Sequence, residues 1–255
     1  MGKRHESIGI KQAIHLDWMQ RAADLVLAGL NAKAIRQELH DFLVERNRSG
    51  SRSRRSDQTR TFVVNNLMKI WVAPDPDLIS FRDASLVLLR ESPFMALPVH
   101  WGMISAAYPF WFNVARQSGR LLSLQDMVTQ AQIVNRLKEK YGDRQTISRY
   151  ARYVIRSFVD WGVLNDSEVN GCYTKPDALK INDYRLSFLM IESALCANSE
   201  VRWVLDSLLN NPGFFPFELE SISGDFVALH STRLKIVRYG LNDDFVERKV
   251  TLDSI

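Results

Sequence analysis

The sequence predicts a mainly α protein with small β-wings, in which helix-turn-helix and winged-helix domains stand in tandem. Three observations carry that expectation. Residues 129–176 read as two short helices joined by a glycine turn and followed by a hairpin, the outline of a winged helix-turn-helix. Residues 10–71 read as helix, helix, basic loop and helix, a second unit of related outline. The wheel of 143–158 sorts its side chains by type, with Ile147, Ala151, Val154, Ile155 and Phe158 on one face and Arg149, Arg152 and Arg156 in a stripe opposite.

Along the chain, apolar periodicity from Ile10 through Ile14, Trp18, Ala22, Leu25 and Val26 to Gly29 predicts an amphipathic first helix. Asn31 suits the N-cap of a second, which buries Ile35, Leu39, Phe42 and Leu43. The composition then changes. Residues 46–60 carry Arg46, Arg48, Arg52, Arg54, Arg55 and Arg60 against the single acid Asp57, with too few apolar groups to fold locally. Such a segment is a mobile basic loop that orders on a polyanion, or else a solvated linker or a binder of acidic protein surfaces. Ser56 or Asp57 caps a third helix, with Phe62, Val63, Leu67, Ile70 and Trp71 inside and Arg60, Asn65, Asn66 and Lys69 outside. Pro74-Asp-Pro76 closes the unit, a short helix covers 81–89, and Glu91-Ser-Pro93 marks the end of a first domain, 1–90.

Residues 92–115 contain no Asp, Glu, Lys or Arg. The run has the length of a membrane span, about 20 residues, but Pro98, His100, Gly102, Ser105 and Pro109 dilute and interrupt it. It is expected instead to be a buried helix, 101–114, opening a winged domain at 91–180. In that domain Thr129 and Gln132 fit a capping box, and Ile133, Val134, Leu137 and Tyr141 give the first helix a buried side. Gly142 suits a positive-φ terminus, and Asp143 or Thr146 caps the arginine-faced helix. Asn165–Glu168 and Val169–Tyr173 form the wing around an Asn-Gly turn. A last domain, 181–255, holds helices at 184–195 and 200–209, a turn at 210–213, and strands at 219–229 and 233–237 that continue through Val246 and Val250.

With 255 residues, 46% hydrophobic and 24% charged, the composition is that of an ordinary globular protein, and a net charge of +4 permits nucleic acid without demanding it. Cys172 and Cys196 stand far apart, which fits packed thiols in a reducing compartment, and no apolar leader is expected at the N-terminus. His5, His15, His40, His100 and His230 lack zinc-site spacing, and no phosphate-cradling loop, dinucleotide fingerprint or nucleophile elbow occurs. Asp225 with Glu247-Arg-Lys249 faintly matches the carboxylate and lysine set of metal-dependent nucleases, but such triplets arise often by chance in a basic chain, and an exposed terminal strand is the expected reading. The expectation is therefore a protein that is not an enzyme and needs no cofactor or metal.

Several strings, Asn66-Leu-Met-Lys-Ile-Trp-Val72, His100-Trp-Gly102, Ala106-Ala-Tyr-Pro-Phe110, Gly119-Arg-Leu-Leu122 and Val159-Asp-Trp-Gly-Val-Leu164, together with the arginine-serine loop, resemble the BrxA family of bacterial BREX phage-defence systems. The resemblance runs from about Ile10 to about Leu209. It implies a non-catalytic cytoplasmic protein that binds DNA through helix-turn-helix-like domains and acts beside a methyltransferase, a phosphatase-like protein and ATPases. It carries over no site residues. From the residues themselves, Arg149 and Arg152 are expected to face a groove of double-stranded DNA. Arg144 and Arg156 are expected to contact its backbone, and Arg52, Arg54, Arg55 and Arg60, with Arg46 and Arg48 beside them, to form a flexible clamp. The alternative is an adaptor that assembles defence proteins with incidental DNA binding; basic helices also bind RNA.

Overall fold

The computed structural model describes residues 3–44, 56–239 and 243–249. Arg46, Arg48, Arg52, Arg54 and Arg55, and Val250, lie outside the described residues.

A single turn, α1 (Lys3–Glu6), precedes α2 (Leu16–Leu27). The helix expected from Ile10 begins later, although Ile10 and Ile14 are fully buried. The reason is tertiary: the Ile14 N–H donates to Ser157 Oγ at 2.8 Å and its carbonyl accepts from Trp161 Nε1 at 2.9 Å. Backbone groups engaged in that way are not available to a helical ladder. Helix α3 (Ala32–Val44) starts as expected, with Asn31 Oδ1 accepting from the Ala34 N–H at 3.0 Å. Ser56 caps α4 (Asp57–Leu67), which widens into a π-helical turn over Met68–Val72. Asn66, expected on the surface, is buried, and its Oδ1 accepts from the Tyr108 hydroxyl at 3.0 Å. Phe62 is only half-buried.

After a 3₁₀ turn at Pro76–Leu78 come α5 (Ile79–Glu91), α6 (Ala96–Ala107) and α7 (Pro109–Leu122). Where one aromatic helix was expected there are two. Pro109 has no N–H and pushes the preceding residue out of helical geometry, and Tyr108 accordingly sits at φ −131°, ψ 85°. The charge-free stretch forms the centre of the molecule, and among the described residues no helix is long and apolar enough to cross a membrane. Next come β1 (Met127–Thr129), α8 (Gln130–Tyr141), α9 (Gln145–Asp160), β2 (Asn165–Asp166) and β3 (Cys172–Thr174). The strands form an antiparallel sheet in the order β1-β3-β2.

In the last part, β4 (Leu179–Ile181) leads into α10 (Tyr184–Ala197), then β5 (Arg202–Val204), α11 (Leu205–Leu209) and β6 (Phe217–Leu219), which pairs in parallel with β4. The helix expected over 200–209 is half strand, because Arg202, Trp203 and Val204 pair with Glu247, Val246 and Phe245. The strand expected over 219–229 is mostly α12 (Gly224–His230), capped by Ser223 Oγ accepting from the Phe226 N–H at 3.2 Å. Strands β7 (Leu234–Tyr239) and β8 (Asp243–Arg248) complete a sheet in the order β5-β8-β7. Among the described residues the architecture is mainly helical with three small sheets.

One hydrophobic cluster runs from Ile10 to Val246. At its centre Trp101 meets Phe158 at 5.0 Å, Trp111 at 5.7 Å, Phe217 at 5.7 Å, Phe215 at 5.8 Å and Trp161 at 6.1 Å between ring centroids, mostly edge to face. Through Phe158 this aromatic nest fixes the inner face of α9.

Candidate nucleic-acid interface

Helices α8 and α9 are set at a fixed angle by local chemistry. Thr129 Oγ1 accepts from the Gln132 N–H at 3.1 Å while Gln132 Oε1 accepts from the Thr129 N–H at 2.8 Å, so both halves of the capping box are made. Gly142 ends α8 at φ +80°, where an L side chain is strained. The next cap departs from expectation. Neither Asp143 nor Thr146 caps α9; its N-cap is Arg144, without a side-chain acceptor. Asp143 is turned back onto Lys138 Nζ at 2.8 Å, where an ion pair competes with capping. The N-terminus of α9 therefore has no acid in its first turn, and among the described residues its leading amides meet no side-chain oxygen, a setting that favours an anion.

From that end the helix shows two faces. Ile147, Ala151, Val154, Ile155 and Phe158 are fully buried, while Arg149, Arg152 and Arg156 are exposed, as the wheel requires. Among the described residues no carboxylate pairs with Arg144, Arg149 or Arg152. Arg149 lies over the Tyr150 ring at 5.3 Å and Arg152 over the Tyr153 ring at 6.0 Å, and the two rings stack 6.4 Å apart. These tyrosines, half-buried within the basic surface, escaped the sequence reading because neither the apolar face nor the charged stripe includes them.

Arg156 is used differently from what the stripe implied. Its Nη1 reaches both oxygens of Asp166, at 2.6 and 2.8 Å, joining α9 to the hairpin. That hydrogen bond, opposed by partial burial, raises the Arg156 pKa. A guanidinium already holding a carboxylate is a brace more than a free phosphate contact. Arg60 needs a similar correction: it belongs to α4, not to a flexible clamp, and pairs with Asp57 at 2.9 Å. The other loop arginines are outside the described residues.

The faint nuclease pattern comes apart in three dimensions. Glu247, expected on an exposed strand, is buried in β8 between Arg202 at 3.0 Å and Lys235 at 2.8 Å, because β8 is the central strand of its sheet. Asp225 pairs with Arg238 instead, and Lys249 Nζ donates to the Ser231 carbonyl at 2.8 Å. Among the described residues no group of three His, Cys, Asp or Glu side chains is placed to hold a metal. Cys172 and Cys196 are buried free thiols, and burial pushes Cys196 up to about 12.

Comparison with protein-family models, curated proteins and solved structures found no match.

Proposed function

We propose that the segment from α7 to β3 is a winged helix-turn-helix that binds duplex DNA, and that the chain serves as a non-catalytic DNA-binding component of a BREX-type defence system. The observation that carries the DNA reading is the pair Arg149 and Arg152: exposed on α9, free of carboxylates among the described residues, opposite a face held in the core. The element order α7, β1, α8, α9, β2, β3 and the strand order β1-β3-β2 support the winged reading, since they put a hairpin beside the arginine-bearing helix. The sequence strings set out above support the defence assignment, and with it a cytoplasmic setting and partners that include a methyltransferase, a phosphatase-like protein and ATPases.

In this reading Arg149 and Arg152 approach a groove, Arg144 and the open N-terminus of α9 meet backbone phosphate, and Arg156 holds the wing in place. Arg46, Arg48, Arg52, Arg54 and Arg55, outside the described residues, add five positive charges to the same binding reaction. If about five phosphates are neutralised, the log–log salt slope of binding is near −4 to −5. The test is a salt series of binding isotherms with duplex DNA, duplex RNA and single strands, using the wild type and an Arg149→Ala/Arg152→Ala variant. Folded variant protein with undiminished duplex affinity would remove α9 from the interface.

A second reading, an assembly adaptor, has one observation in its favour. An apolar groove of about 340 Å³ opens between α5, α10 and α12, lined by Val87, Leu88, Tyr184 and Phe188. An adaptor would show no salt-sensitive duplex binding near physiological ionic strength and would co-purify with its partner proteins.

A further inference from the structure

A second pocket, of about 450 Å³, lies where α1, α7 and α8 meet the turn between α10 and β5, with polar and apolar groups sharing its lining. Two cations from different helices line it. Half-buried Arg116, from α7, donates from Nη1 to Asn198 Oδ1 at 3.3 Å and lies over the Trp203 ring at 5.9 Å. Lys140, from α8 and exposed at the rim, donates to Asn113 Oδ1 at 3.0 Å. Asn113 is itself buried and locked, its amide donating to the Pro109 carbonyl at 2.9 Å and the Tyr141 hydroxyl at 2.7 Å, so it presents one fixed acceptor to the lysine.

Both cations thus rest on neutral amides. Glu6 and Glu200 also belong to the lining, but both are exposed, and among the described residues neither pairs with Arg116 or Lys140. Burial lowers the pKa of Arg116, and neighbouring Arg120 lowers it further. Burial likewise lowers that of Lys140, with Arg116 adding to the effect. Two cations without an ion-paired acid, with only the more distant charge of Glu200 acting on Arg116, form a site short of negative charge. A third donor belongs to the same lining: Trp203 Nε1 is buried and meets no acceptor among the described residues.

We propose that this pocket binds a phosphoryl group, carried on a small molecule or on a nucleic-acid backbone. The formal charge of the two cations matches a phosphate monoester dianion. Guanidinium, ammonium and indole N–H offer donors from three separate elements to its three terminal oxygens. A carboxylate would answer one charge and leave a donor idle. The volume falls within the range of small-molecule sites, about 300–1,000 Å³, and exceeds what inorganic phosphate alone fills.

The test is calorimetric titration of the full chain with inorganic phosphate, adenosine 5′-monophosphate and, as control, acetate, at fixed ionic strength. Saturable binding of the first two, with acetate weaker, is expected. Arg116→Gln and Lys140→Gln should each weaken phosphate binding about 10- to 100-fold, the loss of one charge-assisted contact. Trp203→Phe keeps the ring and removes the donor, and should also weaken binding; it serves if Arg116→Gln does not fold. Absence of saturable binding by either phosphate probe, acetate binding as tight as phosphate, or affinity unchanged in both charge variants would overturn the assignment. Adding duplex DNA identifies the source: displacement of the nucleotide points to backbone phosphate, and its retention to a free ligand.

Discussion

At the scale of single residues, His100 shows what burial does to a titrating group inside this core. Its Nε2 lies 2.9 Å from Gln20 Oε1, its ring stands edge-on to Trp71, and Nδ1 meets no partner among the described residues. Burial pushes its pKa down from 6.5 to about 3. As pH falls below about 6.5 the unfolded chain takes up a proton that the folded chain refuses until about 3. Stability is therefore lost across that window, at about 1.4 kcal/mol per pH unit. Urea denaturation of wild type and His100→Phe should diverge in slope between about pH 6.5 and 5, where most carboxylates stay ionised. Parallel stability profiles would show that His100 does not carry the acid sensitivity. Gly119 is the steric counterpart: a Cβ there would collide with the Pro212 carbonyl oxygen, a backbone atom that cannot swing aside. Gly119→Ala is expected to cost about 3 kcal/mol, read from a denaturant midpoint.

At the scale of elements, the bond between Arg156 and Asp166 unites α9 and the hairpin into one surface. Both side chains are about half exposed, at 44% and 53%, so breaking the pair should cost stability only about 0.2–1 kcal/mol. Its effect on DNA should be larger. Asp166→Asn removes an acid from the proposed interface and frees a cation, so duplex affinity should rise and the salt slope steepen by about one. An unchanged slope would place Arg156 away from the phosphates. The same elements show what a sequence discloses. The starts of α3, α4 and α8 were readable because Asn31, Ser56 and the pair Thr129–Gln132 settle them within four residues. The faces of α9 were readable from periodicity alone. What escaped depended on distant partners: Arg202–Val204 becomes strand only because β8 lies beside it, and Arg156 looked free because Asp166, ten residues on, folds back to meet it. For the candidate site, then, the arginines were legible but their division into free and engaged ones was not.

At the scale of the whole molecule, a few polar ties join segments remote in the chain. Glu192, buried on α10, takes two hydrogen bonds from Arg233 at 2.8 and 2.7 Å and a third from Arg248 at 3.3 Å, fastening the C-terminal sheet to the helical centre. Arg248 also donates to the Asp77 carbonyl at 2.6 Å, and the Asp77 side chain holds Arg4 at 2.7 and 2.8 Å. Glu192→Ala leaves Arg233 facing the core without its acid and is expected to destabilise by about 3 kcal/mol. Thermal unfolding that stays unchanged would mean the sheet is fastened by its apolar contacts instead. The bonds between Ile14 and α9 belong to this class of remote tie, and they bear on the order in which the chain is made. Ser157 and Trp161 lie 143 and 147 residues beyond the isoleucine that they hold. During synthesis residues 10–15 leave the ribosome long before their seat exists, so this stretch closes onto the molecule only after α9 has emerged. A fragment that begins after residue 15 would lack the strap that covers the back of the arginine-bearing helix, leaving the Trp161 indole N–H without its acceptor.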